Sequence, residues 1–444
     1  MKTLLSMSLG ALAAALLATT ALAADLRILT AVTGGKDAAE QALFVKELEQ
    51  HLGLSIEMVK PESDYDNVLF TALAGGEDFD LVYGDSSMLP KFLGQGAVMD
   101  VTDLVAKSTV LSNEAEIPAG EWKLFDVGGK KYGVPNKFEG GTMPVVREDW
   151  VKEFGLKDPV TLEDWMAFFK KAKEVKGAYG LSMAGLYDIQ GFMSAKGLKA
   201  GYVTVDGKRT IPYATDAAAA MYDWFADLYK QGLLDPAFAT NGSAEFRKLF
   251  MSDRVAAVTY WDAWVGLFNN IVHTDKPNSP FEAKGIAGVP GSDGRVILRR
   301  GESSLWFIPT NAKHVANAIK FLEFWHSKPG YVMGTLGIKD VDYTVKADGT
   351  YELTEQGKKH SLDHGSPRVS STTWTNPFGM LPGVLDAQTI ILKSGATIED
   401  KPAAWADAGP IVEKYAFSAM TGEITGAEAV ARMQAELKSA KLID

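Results

Sequence analysis

From Leu26 onward the chain alternates strand-like and helix-like segments, and this alternation restricts the fold more than any other feature of the sequence. Leu26-Arg27-Ile28-Leu29-Thr30 is an apolar run of strand type, closed by the glycine loop Val32-Thr33-Gly34-Gly35. Residues 36–52 place Ala39, Leu43, Leu48 and Leu52 near helical spacing. Gly53 then stands where a left-handed residue ends a helix. Residues 54–59 alternate apolar and polar, as a half-buried strand does. Strand, helix and strand in this order predict an α/β fold with a mostly parallel sheet. The pattern recurs: residues 64–74 read as a helix ending at Gly75-Gly76, and residues 79–83 as a short buried strand. The loop Gly84-Asp85-Ser86-Ser87 follows at that strand's carboxyl end, where open parallel sheets bind ligands. A hairpin is expected around residues 128–135. A helix is expected from 161 to 176, opened by the capping-box spacing of Thr161 and Asp164. No low-complexity linker or internal repeat interrupts the chain, so its units must be joined by short ordered crossings.

The N-terminus has a different composition. Lys2 precedes a Leu- and Ala-rich run from 4 to 22, and Ala21-Leu22-Ala23 is a small-x-small triplet. This is the order of a secretory signal peptide over residues 1–23, cleaved before Ala24. A membrane anchor is the alternative, because the run approaches the ~20 apolar residues that span a bilayer. The chain has no cysteine, hence no site for a lipoprotein's lipid. Together these point to a soluble periplasmic protein. Lysine and arginine number 45 against 56 acidic residues, a net charge of −11 that becomes −12 without Lys2. That balance argues against nucleic acid and anionic membranes as partners. With 10 Trp, 14 Tyr and 21 Phe, the chain has aromatics enough to stack on sugar rings as well as to fill a core.

Several segments carry a family resemblance. They are Phe79-Asp80-Leu81-Val82; Lys131-Tyr132-Gly133-Val134-Pro135; the run from Val146-Arg147-Glu148-Asp149-Trp150 to Thr161-Leu162-Glu163-Asp164-Trp165; residues 246–257; Ile308-Pro309-Thr310-Asn311-Ala312 with Phe321-Leu322-Glu323-Phe324-Trp325; and the tail from Thr421-Gly422-Glu423. In this order they resemble the extracellular solute-binding proteins of ATP-driven importers, in the sugar-binding group that includes the maltose-binding protein. One departure is Leu249, where the family usually has glycine. Residues 337–367 are longer than in the maltose binder and resemble the branch that takes larger oligosaccharides. The resemblance implies a type 2 periplasmic-binding-protein fold, with two α/β lobes and a ligand cleft at the hinge. It places lobe 1 at 24–137 plus 304–360 and lobe 2 at 138–303 plus 361–444, with crossings near Lys137, Ser304 and His360. It also implies a monomer without cofactor or metal that delivers a di- or oligosaccharide to the permease of an ABC importer.

Sugars need aromatic faces for their rings and polar side chains for their hydroxyls, since a buried polar group left unmatched costs ~1–3 kcal/mol. Tyr260-Trp261-Asp262-Ala263-Trp264, after the apolar run 255–259, offers both and makes Trp261, Asp262 and Trp264 candidates; two core tryptophans are the plainer reading. Glu302 and Ser303 precede a crossing, and Lys137 and Glu139 sit at another, where a solvated ion pair is the alternative. Asp85 and Ser86 close a strand, where Asp85 could equally be a helix N-cap. Lys36, with Thr33 and Gly34, is placed at the start of the first helix, facing the cleft. Trp374 lies in a polar, irregular stretch, and Arg368 could meet a uronide's carboxylate or a surface acid.

Rival chemistries find little in the sequence. Glu139 with Glu302, or Asp85 with Asp262, are nominal glycosidase pairs drawn from many carboxylates. Gly301-Glu302-Ser303-Ser304 is not a nucleophile elbow, and no phosphate or dinucleotide loop is present. His360 and His364 are spaced i, i+4 but lack the glutamate of a zinc motif, and Asp64-Tyr65-Asp66-Asn67 lacks the glycine and glutamate of a calcium loop. The expected protein is therefore a binder rather than an enzyme, with a binder of another solute, or a secreted carbohydrate-active enzyme, as alternatives.

Overall fold

The computed structural model describes residues 24–444 apart from 63, 124, 138–139, 187, 302, 361–370, 372 and 403. Its strands fall into two main sheets. The first has the order β2-β1-β3-β10-β4, from β1 (Leu26–Leu29), β2 (Ile56–Val59), β3 (Leu81–Asp85), β4 (Val134–Lys137) and β10 (Ser304–Phe307). The second has the order β8-β5-β7-β6, from β5 (Gly141–Arg147), β6 (Tyr179–Ser182), β7 (Val255–Trp261) and β8 (Ala283–Gly285). A short strand β9 (Arg299–Arg300) pairs on β5.

The opening βαβ unit forms as the sequence predicts. β1 runs parallel to both β2 and β3, and α1 (Ala38–Leu52) crosses between β1 and β2. Its N-cap is Asp37, whose carboxylate accepts the Ala39 and Glu40 amides, so Lys36 lies just outside the helix. Gly53 ends it at φ 61°, a conformation that costs glycine little. Thr161 and Asp164 close a full capping box on α2 (Leu162–Lys176). The sheets are mixed, however, rather than mostly parallel: β10 is antiparallel to β3 and β4, and β5 is antiparallel to β7 and β8. The cause is topological. The chain leaves the first sheet along β4, which runs in the same direction as β3, and returns along β10, so β10 alone runs back against the βαβ strands.

Each sheet carries its own apolar core. Phe44, Leu48, Trp306, Phe321 and Trp325 pack about the first, while Trp165, Phe168, Phe192 and Phe225 pack beside the second. β7 is buried along nearly its whole length, as suits a central strand made of Val, Ala and Thr. Four further elements matter below. Helix α3 (Asp262–Asp275) follows β7 directly, α4 (Lys328–Leu336) belongs to the first unit, and β11 (Tyr343–Val345) and β12 (Tyr351–Leu353) form a hairpin beside it. No helix among the described residues is long and apolar enough to cross a membrane.

Among the described residues, two crossings join the sheets. β4 ends at Lys137 and β5 begins at Gly141, while β9 ends at Arg300 and β10 begins at Ser304. The Gly301 amide donates to the Gly140 carbonyl at 3.0 Å, linking one crossing to the other. The backbone passes close here. A side chain on Gly140 would meet the Asp262 carboxylate at 2.1 Å, and one on Gly141 the Arg299 carbonyl at 2.4 Å. The crossing expected near His360 runs into residues outside the described set.

Candidate functional site

The crossings fix which edges of the two sheets face each other. β10 is antiparallel to β3 with Ser304 opposite Asp85, so both crossings depart from the carboxyl end of β3. β7 is antiparallel to β5 with Trp261 opposite Thr142, so they arrive at the carboxyl end of β7.

On the first edge lie buried hydroxyls. Leu29 pairs with Val82, and Thr33 and Ser86 lie in the segments that follow the carboxyl ends of these parallel strands. Ser303 is fully buried, and its carbonyl accepts the Ser86 amide at 3.0 Å. The Thr33, Ser86 and Ser303 hydroxyl oxygens are all buried without a hydrogen-bond partner among the described residues. Leaving such groups unmatched costs about 1–3 kcal/mol each, so the edge is suited to a ligand rich in hydroxyls.

On the second edge Thr142, Trp261 and Arg299 are neighbours across β5, β7 and β9. Arg299 is buried, donates to Asp188 at 2.9 Å and lies 3.2 Å from Glu399, which also pairs with Lys401 at 2.5 Å. The Arg299 guanidinium stands 5.5 Å from the centre of the Trp261 ring. Trp261 is half-buried, so part of its ring remains open to a partner. Arg300 reaches from this edge to Glu121 of the first unit at 2.7 Å, spanning the two sides beside the crossing.

The sequence candidates are distributed as follows. Trp261, Asp262, Ser86, Ser303 and Asp85 all stand on the two facing edges. The Asp85 carboxylate accepts the Ser87 amide at 2.7 Å, so it caps the turn that follows β3, and that of Asp262 accepts the Ala263 amide at 2.8 Å. Trp264, one turn into α3, packs against Tyr260 and Phe268 under the Arg247 guanidinium. Lys36 is exposed, and its amide donates to the Glu40 carboxylate. Trp374 packs against the cluster of Val332, Leu336 and Tyr343 in the first unit. Lys137 pairs through its backbone with Ser304. Glu139, Glu302 and Arg368 lie outside the described residues. His360, read from the sequence with His364, faces Asp342 at 2.9 Å and Glu40 at 3.3 Å, and His364 is outside the described set. No group of three or more His, Cys, Asp or Glu among the described residues is arranged to hold a metal.

Sequence reading missed the buried ionic group of Asp188, Arg299 and Glu399. The one local signal was the adjacent pair Arg299-Arg300 just before a crossing, an unusual place for two cations.

Residues 43–337 match the bacterial extracellular solute-binding protein family. The chain belongs to that family. Members work outside the cytoplasm, and bind solutes rather than being defined by a reaction. A lipoprotein of Bacillus subtilis is 22% identical to this solute-binding protein over 363 residues, 76% of this chain and 71% of that one. Among solved structures, the alginate-binding protein AlgQ2 without calcium superposes with a TM-score of 0.71 at 19% identity, covering 93% of this chain and 94% of that one. Maltose-bound MalE3 of T. maritima gives 0.70 at 17% identity, covering 94% and 100%. At these identities the likeness establishes the fold: two α/β lobes with the cleft at the hinge.

Proposed function

We propose that this solute-binding protein captures a carbohydrate of di- or oligosaccharide size between the facing sheet edges and delivers it to the permease of an ABC importer. The observation that carries the reading is the row of buried, unpartnered hydroxyls at Thr33, Ser86 and Ser303 opposite the half-open ring of Trp261. Hydroxyls on one side and an aromatic face on the other match the two surfaces of a sugar. Alginate and maltose in the names of structural neighbours point the same way. In this reading the lobes are 24–137 plus 304–360 and 138–303 plus 361–444, with the stretch around Thr373, Trp374 and Phe378 packed back on the first unit, and closure about the hinge buries the sugar.

The same reading makes the protein a periplasmic monomer, released by cleavage after Ala23 and free of lipid despite its lipoprotein relative. The lack of cysteine supports that last point. It also makes the protein a binder without catalytic activity. The Asp85 and Asp262 carboxylates support this, because each is held by a neighbouring backbone amide.

The test is thermal unfolding of residues 24–444 against neutral and acidic oligosaccharides, amino acids and polyamines. A true ligand at a hundred times its Kd adds about 2.7 kcal/mol of stability and raises the melting temperature. Stabilisation by one carbohydrate class, with the sugar recovered intact after prolonged incubation, is the expected result. Stabilisation by amino acids alone, or turnover of the sugar, would overturn it.

A further inference from the structure

A cavity of about 230 Å³ opens on the first unit, lined by Glu47 and His51 of α1, Lys328 and Met333 of α4, Lys339, and Tyr343 and Tyr351 of the β11–β12 hairpin, among others. It lies well away from the cleft. Helix α1 starts at the cleft with its cap at Asp37, and Glu47 and His51 come ten and fourteen residues later, about 15 and 21 Å along the axis.

The chemistry of its wall is specific. Tyr343 and Tyr351 meet edge to face, with ring centres 5.5 Å apart and planes at 67°. Val332, Met333 and Tyr343 are buried and form an apolar floor. Lys328 and Lys339 stand exposed at the rim, and among the described residues neither makes an ion pair. The acid in the lining, Glu47, is already 3.5 Å from His51. The lining therefore holds two lysines at the rim against the one carboxylate of Glu47, above an aromatic wall that Asp340 and Asp342 also approach from behind the rim. Its volume is below the roughly 300–1,000 Å³ of pockets that take drug-sized ligands, so it suits one ring rather than a chain of them.

We propose that this cavity is a second binding site, separate from the cleft, for a single sugar-acid ring: a pyranose carrying a carboxylate. The tyrosine faces take the weakly apolar ring face. The lysines take the carboxylate as point charges. The tyrosine hydroxyls and Glu47 meet the ring hydroxyls, which distinguishes a polyhydroxylated ring from a flat aromatic acid. Burial pushes the Tyr343 hydroxyl up to about 12, so it remains a donor at neutral pH.

The site stands independently of what the cleft binds, and the experiment separates the two. Residues 24–444 are titrated with D-galacturonate, D-galactose and benzoate, with binding followed by calorimetry and by the NMR signals of the tyrosine rings. Galacturonate is expected to bind and shift the tyrosine signals, and to bind at least about tenfold more tightly than galactose. K328E/K339E, at two exposed positions, should lose that preference, while W261A/S303A, altered only on the cleft edges, should keep it. Equal binding of galactose removes the role of the lysines, and binding of benzoate without galacturonate removes the sugar. Loss of galacturonate in W261A/S303A but not in K328E/K339E would assign the acid to the cleft. Each of these results overturns the proposal, as does the absence of galacturonate binding to the unmodified protein.

Discussion

The two units hold the same pair of crossing strands by opposite means. In the first, Asn136 of β4 is fully buried, and its side-chain oxygen accepts both the Trp306 and Trp325 indole N–H groups, at 2.9 and 2.8 Å. The anchor is neutral. In the second, Arg299 of β9 is held by the Asp188 and Glu399 carboxylates. That anchor is ionic, although both draw together residues a hundred or more positions apart. A neutral anchor costs little to bury, whereas an ionic one is tolerable only while every charge keeps its partner. The first edge leaves the hydroxyls of Thr33, Ser86 and Ser303 without partners among the described residues, while the second spends its charges on itself and offers the face of Trp261 beside the hydroxyl of Thr142.

The largest test of this contrast removes the ionic anchor. Arg299→Met removes the buried cation between the Asp188 and Glu399 carboxylates, of which Glu399 keeps Lys401, and is expected to cost about 3 kcal/mol in urea unfolding. A loss below 1 kcal/mol would show that the charges are better solvated than their burial implies. Removing the neutral anchor should cost a comparable amount. Asn136→Leu leaves two indole N–H groups without an acceptor, about 2–4 kcal/mol in the same assay, with little dependence on salt.

Acidity sharpens the comparison further. His326 is fully buried beside the Pro135 backbone of β4, and burial pushes it down from 6.5 to about 4, more than that backbone contact raises it. Its unfolded form then binds a proton that the folded form refuses. Stability contributed by the neutral ring is complete above pH 6.5 and is lost as the pH falls from 6.5 towards about 4. Unfolding midpoints at pH 7 and pH 5 should differ in this direction, and His326→Phe should reduce the difference. On the ligand side, Ser303→Ala should weaken carbohydrate binding about tenfold while leaving the fold intact. Smallest is Glu121→Gln. Its pair with Arg300 is partly exposed, so the change should shift stability by no more than about 1 kcal/mol, less at high salt.

What could be read beforehand was local. The βαβ opening, the capping box at Thr161 and the position of Trp261 at a strand's end all follow from patterns within a dozen residues. The Asp188–Arg299–Glu399 group does not, because the one local sign, two arginines in a row before a crossing, says nothing of which carboxylates answer them. The antiparallel run of β10 escaped for a similar reason: strand direction in a two-unit chain depends on where the crossings return. Asp85 could be read in two ways, and the geometry shows the cap. The hydroxyl of Thr33 carries no signal in a sequence with many threonines; its meaning comes from being buried without a partner, as the Ser86 and Ser303 hydroxyls are, past the carboxyl end of its strand.

The hydrogen bond from Gly301 to Gly140 has a mechanical consequence. Two separate linkers could bend, twist and slide, giving the halves several ways to move. The bond lies at the second-unit end of both and continues the β5–β9 ladder past the Arg300–Gly141 pair, where a side chain on Gly140 or Gly141 would collide with Asp262 or Arg299. The two linkers therefore leave the second unit as one two-stranded ribbon, and independent bending is confined to the residues between that ribbon and the first sheet.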